Sequence, residues 1–259
     1  MQLRLKQVDY TLKYKCLPKE FDGFTIAFIS DLHDREFPFG HNELIVKMIE
    51  ENIPDVIMLG GDMHHAKIDN SRYLGFIEKL TAVAPVFSVE GNHDCESQTK
   101  NYKGYDEYKK AMKELGVLNL HGDGARLFAK NSENYINISG ASWDDKGSVE
   151  PNYEKDAFNI FLMHDPNSFD TVTVRPELML SGHIHGGIIR LPNGQGIFAP
   201  GAGAKVRERF SPQYFLPKYT YGVYGKNKKL IVTSGLGPSV IPFRFITPEV
   251  VIITLKHED

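Results

Sequence analysis

Three short clusters in the first part of the chain, Asp31-Leu32-His33, Gly61-Asp62 and Gly91-Asn92-His93-Asp94, bring together carboxylate, imidazole and amide donors without a thiolate. Two more follow: His164 before Asp165-Pro166, and Gly182-His183-Ile184-His185. Donors of this kind suit borderline and hard divalent cations such as Mn, Fe or Zn. Any one cluster alone reads as a polar loop or a satisfied core histidine. Together they offer more donors than one tetrahedral ion accepts. They fit two ions ~3.5–4 Å apart that share a bridging carboxylate and clamp the attacking and leaving oxygens of an in-line displacement. Phosphoryl transfer is the chemistry such a pair serves.

Each cluster follows a short apolar run, at residues 24–29, 56–59, 86–89, 160–163 and 178–180. Nearly continuous apolar runs of this length are the signature of strands buried on both faces. Between the first two, Leu44, Ile45, Met48 and Ile49 share a helical face behind Asn42, a predicted N-cap. Tyr73, Leu74, Ile77 and Leu80 repeat the pattern before the third run. Tyr105, Tyr108, Met112 and Leu115 repeat it afterwards, with Gly116 as the expected C′ stop. Alternating strand and helix predicts βαβ units and a largely parallel sheet, whose carboxyl edge is where ligands bind. All five clusters are expected along that edge. Beyond residue 180, Gly- and Pro-rich loops lead to a predicted hairpin, 219–224 and 229–233 around Gly225-Lys226-Asn227. A strand at 250–255 closes the chain, and these late strands are expected to complete a second sheet. No repeat or linker interrupts residues 1–259, so a single domain is predicted.

Composition narrows the classes further. Hydrophobic residues make up 41% and charged residues 24% of 259, close to an ordinary globular chain. A net charge of −3 lacks the basic excess that double-stranded nucleic acid demands. Two cysteines, Cys16 and Cys95, are too few for a disulfide framework, so reduced cytoplasm is the expected compartment. No run approaches the ~18 consecutive apolar residues of a bilayer span, and residues 1–30 lack the apolar core of a signal peptide.

The ordered series Asp-x-His, Gly-Asp, Gly-Asn-His-Asp, a lone His and Gly-His-x-His resembles the calcineurin-like metallophosphoesterases. The resemblance implies a four-layer α/β/β/α sandwich, two mixed sheets flanked by helices. It implies that Asp31, His33 and His185 hold one metal, that Asn92, His164 and His183 hold the other, and that Asp62 bridges them. In that pattern a metal-bridging hydroxide attacks phosphorus. His93 stands beside the substrate as acid or charge stabiliser, with Asp94 as the carboxylate that orients it, a pairing that would also fix the imidazole tautomer.

His164-Asp165-Pro166, the glycines after His185, and Gly235-Leu236-Gly237 before Pro242-x-Arg244-Phe245 resemble the bacterial branch of small phosphodiesterases. That branch implies a small-molecule phosphate diester substrate, including lipid-linked ones met at a membrane surface. Members commonly carry an N-terminal anchor or export signal that this sequence does not show. Ile184 replaces the usual Thr of the last motif, and Asp34 the usual Gly after Asp-Leu-His.

Residues 201–230 hold seven lysines and arginines against Glu208 alone. Arg207 and Arg209 are the candidates there for binding a substrate phosphate. His64 and His65 read as surface loop or as support for the metal loops. Two other functions fit the class: a metal-binding scaffold without turnover, marked by a lost ligand, and a single-strand nuclease, which needs stacking aromatics in a basic groove. The seven ligands and His93 are all present, which favours the enzyme.

Overall fold

A computed structural model describes residues 5–33, 42–64, 70–99, 105–143, 150–187, 189–192, 195–199, 215–237 and 246–259. Two six-stranded mixed sheets lie face to face. The first contains β1 (Lys6–Tyr14), β2 (Thr25–Ile29), β3 (Val56–Leu59), β4 (Val86–Ser88), β5 (Leu118–Asn119) and β12 (Glu249–His257), in the order β1-β12-β2-β3-β4-β5. The second contains β6 (Gly124–Phe128), β7 (Tyr135–Ala141), β8 (Phe158–Met163), β9 (Leu178–Ser181), β10 (Gly222–Tyr224) and β11 (Lys229–Val232), in the order β10-β11-β9-β8-β7-β6.

Strand parity builds the layers. Ile26 and Phe28 of β2 point between the sheets, with Val56, Met58, Ile160, Leu162, Leu178 and Ile253. Ala27 and Ile29, one residue out of phase, face the helices α1 (Glu43–Glu50), α2 (Asn70–Val83) and α4 (Tyr105–Glu114). A strand buried on both sides has no polar face, which is why these runs are continuously apolar. The outer face of the second sheet is covered, among the described residues, by the single turn α5 (Ser168–Thr171), whose Phe169 packs with Phe161, Met179 and Tyr219. A further helix, α3 (Asn92–Thr99), begins at the third cluster.

The predicted strands and helices lie where expected, with three differences. The five clusters do not share one sheet edge: β2, β3 and β4 belong to the first sheet, β8 and β9 to the second. The late strands also divide, because β10 and β11 extend the second sheet while β12 returns to the first, parallel to β1 and antiparallel to β2. Asn42 stands at the N-cap position in a left-handed conformation and makes no side-chain capping bond. Gly116 does end α4 as predicted: at φ +82 it donates to Lys113 O, and Val117 N donates to Met112 O, the paired bonds of a Schellman stop.

Candidate metal centre

The loops after β2, β3 and β4 are tied to one another by main-chain bonds. Asp31 N donates to Gly61 O (2.9 Å) and His33 N to Asp62 O (3.0 Å), which joins the first two clusters. His93 N donates to Asp62 Oδ1 at 2.7 Å and joins the third. Other bonds cross between the sheets: His183 N reaches both Asp31 oxygens (3.1 and 3.2 Å), and His164 Nδ1 meets Gly60 O at 2.6 Å. Nine described non-glycine residues have positive φ, and five of them are Asp31, His33, Asp62, His183 and His185. Left-handed backbone costs roughly 1–3 kcal/mol at such residues and persists only where surroundings enforce it, as they do at functional sites.

The side chains converge as two overlapping groups. Donor atoms of Asp31, His33 and His185 lie within 4.8 Å of one another, and so do those of Asp62, His164 and His183. Asp62 also groups with His33 and His93, so its carboxylate lies between the two sets. His33 and His185 stack with ring centroids 5.2 Å apart and their Nε2 atoms 3.3 Å apart. His93 packs edge-on against His33 at 4.9 Å.

The electrostatics ask for cations. His164 is fully buried, and its Nδ1 must carry the proton because its partner is a carbonyl. Its Nε2 then faces Asp62 Oδ2 at 3.2 Å and Asp31 Oδ1 at 3.8 Å without a hydrogen bond. A lone pair set against two carboxylates is repulsive unless a positive charge intervenes. Burial alone would lower the His164 pKa, but the charges of Asp62 and Asp31 prevail and push it up to about 10, a proton standing in for a metal ion. Burial raises Asp31 to about 6, with the neighbouring Asp62 charge adding to the effect. One terminal atom of the Asn92 amide lies 3.0 Å from His183 Nδ1 and 3.3 Å from Asp62 Oδ2, where NH2 would donate to both. The orphaned His164 Nε2 before two carboxylates, set among convergent donor groups, means that the residues present fit divalent metal.

The buried Asp94 carboxylate accepts from the backbone N–H of Asp62 (2.7 Å), Gly91 (2.8 Å) and His64 (3.2 Å), so it braces the metal loops. His64 is buried as well, stacked on Tyr108 at 4.5 Å beneath the helices. Arg207, Arg209 and His65 lie outside the described residues. Of the other cations in 201–230, Lys218 pairs with Asp170 at 2.6 Å, Lys228 pairs with Glu177, and Lys229 lies over the Tyr14 ring at 4.0 Å, so much of that charge serves local structure.

Sequence reasoning passed over Trp143. Its ring lies 4.5 Å from that of His183 and 5.8 Å from that of His164, forming an aromatic wall beside the second donor group. It follows the end of β7, a sixth strand end, one residue beyond Ser142.

A two-sheet sandwich whose loops concentrate Asp, Asn and His donors at one end has the scaffold and site of a metal-dependent phosphoric ester hydrolase. Residues 24–187 match the calcineurin-like phosphoesterase family, and the chain belongs to it. It is 31% identical to the uncharacterized metallophosphoesterase YkuE of Bacillus subtilis, over 97% of this chain and 86% of that one. It is 29% identical to phosphodiesterase YaeI of Escherichia coli, over 68% of this chain and 66% of YaeI. An uncharacterized metallophosphoesterase of Aquifex aeolicus is 25% identical, over 97% and 92% of the two chains. Among the described residues, no helix is long and apolar enough to cross a membrane.

Proposed function

We propose that the protein is a phosphodiesterase in which Asp31, His33 and His185 hold one divalent ion, Asn92, His164 and His183 hold a second, and Asp62 serves both. The observation that carries this reading is the membership of Asp62 in separate donor groups on either side of it. The diester preference draws support from the name of YaeI, and manganese, iron and zinc are the ions this donor set suits. Bound there, two divalent ions supply a water of near-neutral pKa and offset charge on the phosphoryl oxygens. The remaining tasks fall to the chain itself. The Gly60 carbonyl holds His164 in the tautomer that leaves Nε2 available as a donor. Asp94, through three backbone amides, keeps the Asp62 and Asn92 loops in register. His93, anchored by its own N–H to Asp62 Oδ1, offers its imidazole to the leaving oxygen or to a phosphoryl oxygen. A small phosphate ester is the substrate class, and the cytoplasm is the compartment this reading assigns, since Cys16 and Cys95 form no disulfide.

The test is metal removal and replacement. Chelation should abolish hydrolysis of a diester panel, and each restored ion should return it. Elemental analysis should give two ions per chain in the native protein and fewer in Asp62→Ala. Trp143, the sole tryptophan, reports loading independently of turnover, because a paramagnetic ion beside His183 should quench its fluorescence. Full activity after verified metal removal would refute the proposal.

A further inference from the structure

Away from the metal-facing side of these loops, a cavity of about 620 Å³ lies between α4 and the first sheet. Its floor is Leu59 and Val89, its roof Tyr108 and Met112, and its inner end Met63 and Asp94. Both Asp94 oxygens accept from backbone N–H groups of the metal loops, and none of the candidate metal donors is among the lining residues. Glu90, the other carboxylate inside, is satisfied by the Tyr105 hydroxyl at 2.6 Å, Ser142 at 3.2 Å and Lys109 at 3.2 Å. Ser88 is bonded to Asn119 at 3.1 Å. Glu90, Asp94 and Ser88 are thus engaged with the protein, and a roomy cavity whose other inner lining is Leu59, Met63, Val89 and Met112 favours an apolar occupant.

The mouth lies at the edge strand β5, where Leu118 is 51% exposed, and three lysines of α4 stand over it. Lys109 belongs to Glu90, and Lys110 is paired with Glu114 at 3.7 Å. Lys113 has no such acidic partner among the described residues. Asp123, which also lines the cavity, accepts from His121 N at 2.9 Å. The volume falls within the range of sites that enclose small ligands.

We propose that this cavity is a second binding site, separate from the metal centre, that takes a single-chain amphiphile with its alkyl tail beneath α4 and an anionic head at Lys113. The occupant rests against Met63 and Asp94, immediately behind the loop that carries Asp62. Isothermal titration of the full metal-loaded chain with octanoate, decanoate and dodecanoate, each kept monomeric, tests this. Affinity should rise about four-fold per added methylene, as transfer of a CH2 from water requires, until the cavity is full. Met112→Trp should fill the space and remove binding while metal content and the thermal transition stay unchanged. Because that variant alters a core position, two surface variants provide an independent arm. Lys113→Glu should weaken decanoate several-fold and Asp123→Asn should tighten it. Loss of binding in the presence of saturating inorganic phosphate would place the ligand at the metals and overturn the proposal. So would affinity independent of chain length, or binding that Met112→Trp leaves intact.

Discussion

His164 and His93 show how the second ring nitrogen decides what an imidazole does. His164 commits Nδ1 to a carbonyl and turns Nε2 on two carboxylates, the geometry of a ligand. His93 is held by its backbone N–H to Asp62 Oδ1, and its ring packs edge-on against His33 beside the cluster. If His93 donates a proton, His93→Ala should leave metal bound and lower alkyl diester hydrolysis by roughly 10²–10⁴-fold. A nitrophenyl diester should lose far less, because nitrophenolate departs without protonation. Comparing the two losses under chemistry-limited conditions separates the roles. Equal losses would assign His93 to phosphoryl charge, and loss of metal would make it a ligand, a role its closeness to His33 and Asp62 makes worth testing.

The strand-to-loop junctions position these side chains, and Gly91 is one of the tight points. A Cβ there would fall on Asp62 Oδ1 and 2.5 Å from Asp62 N, against backbone that has no room to yield. Overpacking of this kind costs typically ~1–3 kcal/mol, and here the atom displaced belongs to the Asp62 carboxylate, the proposed bridge. Gly91→Ala should therefore melt only modestly lower yet carry less metal than the parent. Thermal denaturation paired with elemental analysis reads both, and full metal content in a folded Gly91→Ala protein would contradict the tight junction. Gly116 needs only a left-handed φ and meets no crowding, so its replacement should leave the metal centre unaffected.

At the scale of the whole molecule, the metal centre exists because two sheets are locked together, and β12 is the element that locks the chain's end to its beginning. It lies between β1 and β2 and buries Val250, Val251, Ile252, Ile253 and Leu255. At roughly 1.5–3 kcal/mol for each fully buried side chain, these five contribute on the order of 10 kcal/mol. That is comparable with the ~5–15 kcal/mol net stability of a typical protein. Truncation before Glu249 should abolish cooperative unfolding, read by circular dichroism against temperature, and should abolish metal binding with it. A truncated chain that still melts cooperatively and binds metal would show that the sheets hold without β12.

Much of the centre was legible without coordinates, for a local reason. A strand buried on both faces must be apolar, its loop must be polar, and metal donors are few in kind. Asp31, His33, Asp62, Asn92, His164, His183 and His185 were therefore visible as residue types abutting apolar runs. β1 was not, because its alternation of Val8, Tyr10, Leu12 and Tyr14 with polar residues lies on a strand where Val8 and Tyr10 are only partly covered or exposed. Nor could the division of strands between sheets be read, since a run such as 160–163 is equally apolar in either. Sheet membership is settled by pairing between residues far apart in sequence, β12 with β1 and β2 most of all. The same long-range packing decides that Asp94 braces the loops, that His64 stacks on Tyr108, and that Trp143 stands beside His183. The sequence names the donors, because their chemistry belongs to each residue; only tertiary structure decides which of them meet, because distance in space is set by pairings that no local pattern encodes.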